Sequence, residues 1–263
     1  MSIVNLNGWI AAVKQRLTWM RTGTRTVVSA IPFSVFDIAG YPGVGVLAGV
    51  NTANGVVPTD AIAGYPIINA LSASGYVSKI EFGSTVACRL TLFDRLFVCG
   101  AYNYNANVNL TAQPSYVGRL PESNYSGLEI WVETVVQPSG NLAVSVSYLD
   151  QDGNAGVTGA VGVGTTPTVG RCWPLPLASG DSGVQRIDNV TGSVAASGTA
   201  CFNVMVLRRL WSGRVPVANF CDIHDMLKTG MPQIYADSAL YCMITADSTA
   251  IGVPEICIEV SDG

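Results

Sequence analysis

The feature that most constrains the fold is a stretch of alternating residues, Leu128–Leu149. Apolar side chains recur at every second position on both sides of a central turn, Pro138-Ser139-Gly140-Asn141. A period of two is typical of a strand that buries one face only. The stretch therefore predicts a β-hairpin. Since two strands are not stable alone in water, further strands must cover the apolar face of this pair.

The rest of the chain contains strand patterns at short spacing, separated by turn residues. Many short strands with few helical patterns favour an antiparallel sandwich or barrel. We therefore predict an all-β fold, an antiparallel β-sandwich of jelly-roll-like form. Besides the hairpin, the predicted strands are Tyr76–Phe82, Thr85–Phe93, Gly156–Val163, Val184–Ala195, Cys201–Arg208, Leu240–Ala246 and Glu255–Val260.

The first 70 residues follow a different pattern. Asn7 is a candidate N-cap for an amphipathic helix over Gly8–Arg21. The stretch Asp37–Asn69 is dense in Gly, Pro and Ala and is longer than an ordinary loop, so it predicts an extended arm. We predict two parts: residues 1–70 as the N-terminal helix and interaction arm, and residues 71–263 as the β-sandwich body. A second short helix is expected over Phe220–Thr229.

The chain carries few charges for its length. Charged residues make up 12% of the 263 residues and hydrophobic residues 49%, whereas the usual charged share is about 25%. Such a composition predicts either a membrane protein or a surface that other chains cover. The most apolar window, Ile38–Val57, is broken by glycines, a proline and two asparagines, so no membrane span is expected. No secretory signal is apparent at the start, so synthesis in the cytoplasm is expected.

The charge is unevenly distributed. The formal net charge of −4 argues against the basic face that nucleic-acid binding uses, so no nucleic-acid partner is expected. Residues 1–36 nevertheless hold Lys14, Arg16, Arg21 and Arg25 and no acidic residue. Two interpretations remain: a solvated helix face, or a basic segment that docks on an acidic surface of a neighbouring subunit.

Few motifs point to catalysis. Gly180-Asp181-Ser182-Gly183 matches the nucleophile motif of chymotrypsin-like serine proteases in letters, but His224 is the chain's one histidine and follows the serine. We interpret the motif as a turn and His224 as a satisfied or exposed residue. The seven cysteines form no closely spaced pairs, so they are expected to be reduced core residues. We therefore predict no enzyme activity, no metal and no cofactor.

Two further groups of residues have a structural and a functional interpretation. Glu129 and Glu133 share one strand face and are expected to be solvated, since glycosidase carboxylates face a cleft from different elements. Tyr102–Gly127 is a long loop rich in Asn and Tyr that is expected to project. Its rings suit a protein contact or the binding of a sugar, and the contact is favoured in a chain so poor in charge.

These patterns give a set of candidate partner-binding residues. Those of the N-terminal helix and those of the tyrosine loop are Trp9, Val13, Lys14, Arg16, Leu17, Met20, Arg21, Tyr102, Tyr104 and Tyr116.

Several phrases along the chain carry a resemblance to a known family. They are Leu92-Phe93-Asp94-Arg95-Leu96, Glu129-Ile130-Trp131-Val132-Glu133, Asp150-Gln151-Asp152-Gly153, the block Arg171–Asp188, Arg208-Arg209-Leu210 and Ala246-Asp247-Ser248-Thr249. In this combination the sequence resembles a family of tailed-bacteriophage virion structural proteins.

The resemblance implies a capsid-associated part, a cement or head decoration protein on the capsid exterior. It implies the major capsid protein and neighbouring copies of the chain as partners, in a symmetric homo-oligomer for which a trimer is favoured. It brings no catalytic residues. The alternative is a glycan- or receptor-binding module associated with a tail or head fibre, in which the Tyr102–Gly127 loop contacts the host glycan.

Overall fold

The computed structural model describes residues 5–49, 52–137, 143–162, 168–192 and 200–263. Within them the chain is an all-β protein with antiparallel sheets and two short α-helices, as predicted. The helices are α1 (Leu6–Ala11) and α2 (Met226–Thr229), and two 3-10 turns span Val117–Arg119 and Pro121–Ser123.

The strands follow one another at short spacing along most of the chain. In order they are β1 (Lys14–Arg21), β2 (Arg25–Val27), β3 (Pro32–Ser34), β4 (Gly40–Tyr41), β5 (Ser74–Ser84), β6 (Cys88–Asn103), β7 (Asn107–Asn109), β8 (Leu128–Val136), β9 (Ala143–Leu149), β10 (Ala155–Val157), β11 (Val161–Gly162), β12 (Cys172–Leu175), β13 (Arg186–Gly192), β14 (Cys201–Val215), β15 (Phe220–His224), β16 (Gln233–Tyr235), β17 (Leu240–Ala246), β18 (Ala250–Gly252) and β19 (Pro254–Asp262).

Three sheets account for nearly all of these strands. Sheet I has the order β15-β5-β19-β1-β4, and β16 also pairs with β5. Sheet II has the order β12-β8-β14-β6-β17-β3, and sheet III has the order β10-β9-β13-β7, with β11 also paired to β9. Strands β2 and β18 form a separate two-stranded ribbon.

Sheet II is the central layer, because its two longest strands, β6 and β14, serve two cores at once. One part of sheet II packs against sheet I through side chains such as Leu90, Leu92 and Ile80. Another part packs against sheet III, where Val204 and Val206 meet Val146. Since alternate residues of a strand point to opposite faces, the intervening side chains of sheet II form a third core on its other face.

The arm covers this third core. Phe36, Leu47 and Tyr65 pack over Phe93, Trp131, Met205, Leu207, Tyr241 and Met243 of sheet II. The extended stretch predicted over Asp37–Asn69 thus lies on a sheet of its own chain over much of its described length. The division of the chain at residue 70 stays a prediction.

The predicted hairpin is wrong in its pairing. Strands β8 and β9 form at the predicted positions, but β8 pairs with β12 and β14 in sheet II, and β9 pairs with β10, β11 and β13 in sheet III. The turn Pro138-Ser139-Gly140-Asn141 lies outside the described residues. Each strand covers its apolar face within a different sheet, so the link between them is a crossing from one layer to the other.

Both predicted helices are shorter than expected. The N-terminal helix ends at Ala11, and Lys14–Arg21 is strand β1, which pairs with β19 from Lys14↔Ser261 to Met20↔Glu255. The cap is Asn5 rather than Asn7, since the Asn5 side chain accepts a hydrogen bond from Gly8 N. In the second case Phe220–His224 is strand β15, and the helix spans only Met226–Thr229. Its C-cap is Gly230, whose φ of 69° suits a glycine.

Candidate interaction surface

Strand β1 divides the candidate residues of the N-terminal segment between two faces. Leu17 and Arg21 are buried, together with Trp19, on the side that faces sheet II. Arg16 and Met20 are exposed on the opposite side, where Met20 has 48% of its surface accessible. The predicted helical stripe of Val13, Leu17 and Met20 is therefore split, because a strand places successive residues on alternate faces.

The exposed face of sheet I is built from rows of paired residues. Met20 pairs with Tyr41 on one side and Glu255 on the other. Glu255 pairs with Gly83, which pairs with Cys221. Directly paired residues project to the same side of a sheet, so these five positions form one row across the whole sheet. Tyr41 is 68% exposed, and the row is mainly apolar apart from Glu255.

The neighbouring rows carry more charge. The second row is Ile223, Glu81, Cys257 and Thr18, and the third is Lys79, Glu259 and Arg16. Arg16 Nη2 lies 2.5 Å from Glu81 Oε2, and Lys79 Nζ lies 2.6 Å from Glu81 Oε1. The Lys79 ammonium, which donates a hydrogen bond to Glu81, lowers the pKa of that carboxyl.

Two hollows open on this face and share part of their lining. The larger has a volume of about 290 Å³ and includes Met20, Phe220 and Val253 in its wall. The smaller, of about 200 Å³, includes Arg16, Phe82 and Ile223. Gly83, Cys221 and Glu255 line both. We call the two hollows together the sheet I groove.

The N-terminal helix adds a second exposed apolar surface. None of the six residues of α1 is buried. Leu6, Ile10 and Val13 are 56%, 60% and 61% exposed. Lys14 folds back on the helix: its Nζ donates hydrogen bonds to Trp9 O at 2.7 Å and to Ile10 O and Ala12 O, and it lies 4.7 Å from the centre of the Trp9 ring. A cation at this end of a helix satisfies its last carbonyl groups.

Three tyrosines of the loop Tyr102–Gly127 are buried rather than exposed. Tyr102, Tyr104 and Tyr116 are 2%, 0% and 2% exposed and belong to the core between sheets II and III. Tyr102 OH donates a hydrogen bond to Thr52 O, and Tyr116 OH donates one to Val184 O. The prediction that these three rings are exposed for a partner is wrong, because their apolar surface is used inside the fold.

Glu133 was expected on a solvated face and is fully buried. Arg95 Nη2 lies 3.1 Å from Glu133 Oε2, and Tyr241 OH donates a hydrogen bond of 2.6 Å to Glu133 Oε1. Asn203 Nδ2 also donates to Glu133 Oε2. Burial alone would lower the pKa of Arg95, but Tyr65 and Glu133 hold it above its ordinary value. By contrast Glu129 is partly exposed and paired with Arg209, as a surface carboxylate should be.

The same buried cluster fixes the arm to sheet II. Asn203 donates a hydrogen bond to Leu47 O and accepts one from Gly49 N at 2.9 Å. Arg95 Nη1 donates to Tyr65 OH at 3.3 Å. Because a buried charge must be paired and hydrogen-bonded, the contacts that satisfy this cluster also hold the arm over the third core.

A second buried carboxylate, Asp94, lies next to Arg95 on β6. It forms ion pairs with Arg119 and with Arg208, whose Nη2 lies 3.3 Å from Asp94 Oδ2, and it accepts a hydrogen bond of 2.9 Å from Ser238. Arg119 also donates to Pro58 O in the arm. Both carboxylates are fully buried, and each is satisfied by ion pairs and hydrogen bonds within the fold.

The candidate catalytic residues have structural partners. Ser182 N and Gly183 N donate hydrogen bonds to Gln151 Oε1, and Asp181 N donates to Ala178 O within a turn. His224 Nδ1 accepts a hydrogen bond of 3.0 Å from Trp211 Nε1, and its ring packs edge-on against Phe82. His224 is thus satisfied, as predicted, and Gly180-Asp181-Ser182-Gly183 is a turn with φ of 100° at Gly180.

The described residues contain no group of three or more His, Cys, Asp or Glu side chains arranged to hold a metal ion. Five of the seven free thiols are buried, as expected for cysteines that act as small apolar residues, whereas Cys221 is exposed and Cys201 is half-buried. In the described part of the chain, no helix is long and apolar enough to span a membrane.

Comparison with known proteins gives little. No protein-family model and no curated protein matches the chain. Among solved structures it is similar to that of the infectious bursal disease virus Gx strain, with 12% identity over 95% of this chain and 81% of that chain and a TM-score of 0.19. The VP2 subviral particle of infectious bursal disease virus matches at 10% identity over 95% and 80%, also with a TM-score of 0.19.

Proposed function

We propose that the chain is a non-enzymatic virion structural protein, a cement or decoration protein that binds the exterior of a capsid lattice. Its partners are the major capsid protein and further copies of itself, in a homo-oligomer for which a trimer is favoured. No cofactor is part of this function.

The observation that carries the proposal is the exposed apolar surface of the N-terminal segment and of sheet I. Leu6, Ile10 and Val13 project from the first, and Met20 and Tyr41 from the second, all at 48% exposure or more. In a chain with 12% charged residues, so much exposed apolar surface favours association with other chains. The resemblance to tailed-phage virion proteins supports a capsid as the setting.

The glycan-binding alternative has no such support. It depends on rings that stack on a sugar, and Tyr102, Tyr104 and Tyr116 are buried.

The test is the solution mass of the full-length chain, measured by light scattering with and without shells of the major capsid protein encoded in the same genome. We expect a defined oligomer that cosediments with shells at fixed stoichiometry. A matched variant pair locates the contact: Met20→Asp in the exposed row of sheet I should weaken association, whereas Val157→Asp on β10 should not. A monomer that ignores the shells would contradict the proposal.

A further inference from the structure

Strand β15 lies at an edge of sheet I and buries none of its five residues. Among the described strands its backbone pairs with β5 alone, from Phe220↔Ser84 to His224↔Ile80. An edge strand without buried side chains gains little from packing, so the few contacts that its side chains make decide how firmly it is held. His224 provides one such contact, a hydrogen bond to Trp211 on β14 of sheet II.

The imidazole of His224 packs against two aromatic rings. Trp211 on β14 and Phe82 on β5 both meet it edge-on, with ring centres 5.5 and 5.0 Å from its own. Trp211 is 5% exposed and Phe82 is 3% exposed, so the indole N–H of Trp211 has little access to water. Its partner is His224 Nδ1, which lies 3.0 Å from Trp211 Nε1.

The direction of this hydrogen bond fixes the protonation state of the ring. An indole N–H can only donate, so Nδ1 accepts, and the single N–H proton of the neutral imidazole lies on Nε2. Nε2 faces the carboxylate of Asp222 and lies 3.5 Å from its Oδ2. His224 therefore stands between an indole donor that requires the neutral ring and a carboxylate that attracts the charged ring.

No other charged group competes for the ring. In the described part of the chain, Asp222 is the one acidic residue that pairs with His224. The charged side chains on β5, on β14 and around α2 have other partners or point to solvent. They are Lys79 with Glu81, Arg208 with Asp94, Arg209 with Glu129, Arg214 with Asp247, Asp225, which caps α2, and the exposed Lys228. A change of charge on His224 therefore acts mainly on Trp211 and Asp222.

Protonation exchanges one neighbour for the other. In the imidazolium both nitrogens are donors, so Nδ1–H and the indole N–H face each other and their hydrogen bond is lost. The charged ring is drawn to Asp222, and the buried indole N–H is left without an acceptor, which is unfavourable. Because Asp222 belongs to β15 itself, the new ion pair no longer ties the strand to sheet II.

We propose that His224 is a pH-sensitive latch: when neutral it holds β15 against Trp211, and when protonated it turns to Asp222 and releases the strand. Strand β15 supplies Cys221 and Ile223 to the smaller hollow of the sheet I groove, so its release also alters that surface. The latch is a property of the folded chain and does not depend on the proposed function.

The chain's single histidine makes the test specific. Histidine is the side chain that normally changes its charge between about pH 5 and 8, and His224 is the one histidine of the sequence. Nuclear magnetic resonance of isotope-labelled tryptophan follows the indole N–H of Trp211, which is identified by the loss of its signal in Trp211→Phe. As the pH falls from about 8 to about 5, this signal should leave its hydrogen-bonded position.

The matched control is His224→Asn. The Oδ1 of asparagine takes the place of Nδ1 and accepts from Trp211, but it does not titrate, so the indole signal should keep its hydrogen-bonded position at every pH. A wild-type signal that does not move, or that moves equally in His224→Asn, would overturn the latch.

Hydrogen exchange, followed by mass spectrometry, measures the release of the strand itself. At about pH 5.5 the amides of Phe220–His224 should exchange roughly fivefold faster in the wild type than in His224→Asn, and at about pH 7.5 the two should exchange equally fast. Comparing two proteins at the same pH cancels the intrinsic effect of pH on exchange, and strand β17 should show equal rates throughout. Equal exchange of Phe220–His224 in both proteins at the lower pH would overturn the release of β15.

The variant Asp222→Asn tests the second partner. It removes the carboxylate that attracts the charged ring, so the transition of the Trp211 signal should move to lower pH. A transition at the wild-type pH would overturn the exchange of Trp211 for Asp222.

Discussion

At the scale of single residues, Glu133 shows how a carboxylate is kept inside a β-sandwich. The side chain is 0% exposed and lies in the middle of sheet II, where an uncompensated charge would be costly. Arg95 supplies the opposite charge, and Asn203 and Tyr241 donate hydrogen bonds to the carboxylate oxygens of Glu133. Because Asn203 and Arg95 also hold the arm, this one carboxylate stabilises both the sheet and its cover.

Removing this charge should therefore be costly. Glu133→Gln leaves Arg95 buried without its counter-ion, and we expect the free energy of unfolding to fall by about 3–5 kcal/mol, the usual effect of breaking a buried ion pair. Glu129→Gln, four residues earlier on the same strand, disrupts an exposed pair with Arg209 and should cost about 1 kcal/mol or less. Urea unfolding followed by tryptophan fluorescence measures both values.

The double variant Glu133→Gln with Arg95→Met separates charge from packing. It removes both members of the pair, so it should recover part of the stability lost in Glu133→Gln alone. Equal losses for Glu133→Gln and Glu129→Gln would show that the buried pair is not what holds this region together.

At the scale of elements, alternation identified several strands with accurate bounds. Leu128–Val136 and Leu240–Ala246 begin and end as predicted. Leu128–Val136 has apolar residues at alternate positions, and Leu240–Ala246 is apolar over most of its length. Either pattern predicts a strand whatever its neighbours in the sheet are. Strand β1 was predicted as a helix because the spacing of Leu17 and Met20 fits a helical turn. The residues that alternate on its buried face are Leu17, Trp19 and Arg21, and an arginine in the sequence does not indicate a buried position. Tertiary pairing with β19 decided the outcome.

Pairing could not be read from the same pattern. Alternation tells which residues share a face, but it does not tell which strand lies beside another. The link between β8 and β9 looked like a hairpin turn, yet the two strands belong to different sheets. The ion pair of Glu133 with Arg95 depends on which strands lie side by side. It could therefore not be predicted from the alternation pattern either.

The candidate surface was predictable in part. Arg16 and Met20 are exposed, as an interaction role requires, whereas Leu17 and Arg21 are core residues. The buried clusters did leave a signal. Asp94-Arg95 interrupts the apolar run from Leu90 to Cys99, and a charged pair within a fully apolar strand indicates burial with partners rather than a surface.

The position of β1 sets where the N-terminus can be shortened. A truncation that removes residues 1–12 takes away α1 and leaves β1 intact, so the body should fold with nearly unchanged stability. Removing residues 1–25 also deletes Leu17 and Trp19 from the core and a strand that lies between β19 and β4. We expect that product to be unfolded or insoluble. Circular dichroism and thermal unfolding of the two truncations measure the difference, and a stable fold without residues 1–25 would contradict the role of β1.

At the scale of the whole molecule, three cores share one central sheet, and buried thiols are distributed among them. Cys88 belongs to the core between sheets I and II, Cys99 to the core between sheets II and III, and Cys172 to the core under the arm. Burial raises the pKa of Cys88 to about 11 and that of Cys99 to about 12. Ionisation of buried thiols at high pH would therefore affect more than one core of the protein.

This distribution predicts a protein that loses stability in alkali. In the unfolded chain a thiol ionises near its ordinary pKa of 9.0, whereas Cys88 and Cys99 stay protonated in the fold to about 11 and 12. Between pH 9 and 11 the unfolded state thus binds fewer protons, so the free energy of unfolding falls as pH rises. The two thiols together contribute about 2.7 kcal/mol per pH unit at most.

Urea unfolding at pH 8, 9 and 10 measures the slope of the free energy of unfolding against pH. Cys99→Ala should reduce it by up to about 1.4 kcal/mol per pH unit, while Cys221→Ala, at an exposed site, serves as the control. A slope that Cys99→Ala leaves unchanged would show that Cys99 does not take part in the alkaline transition.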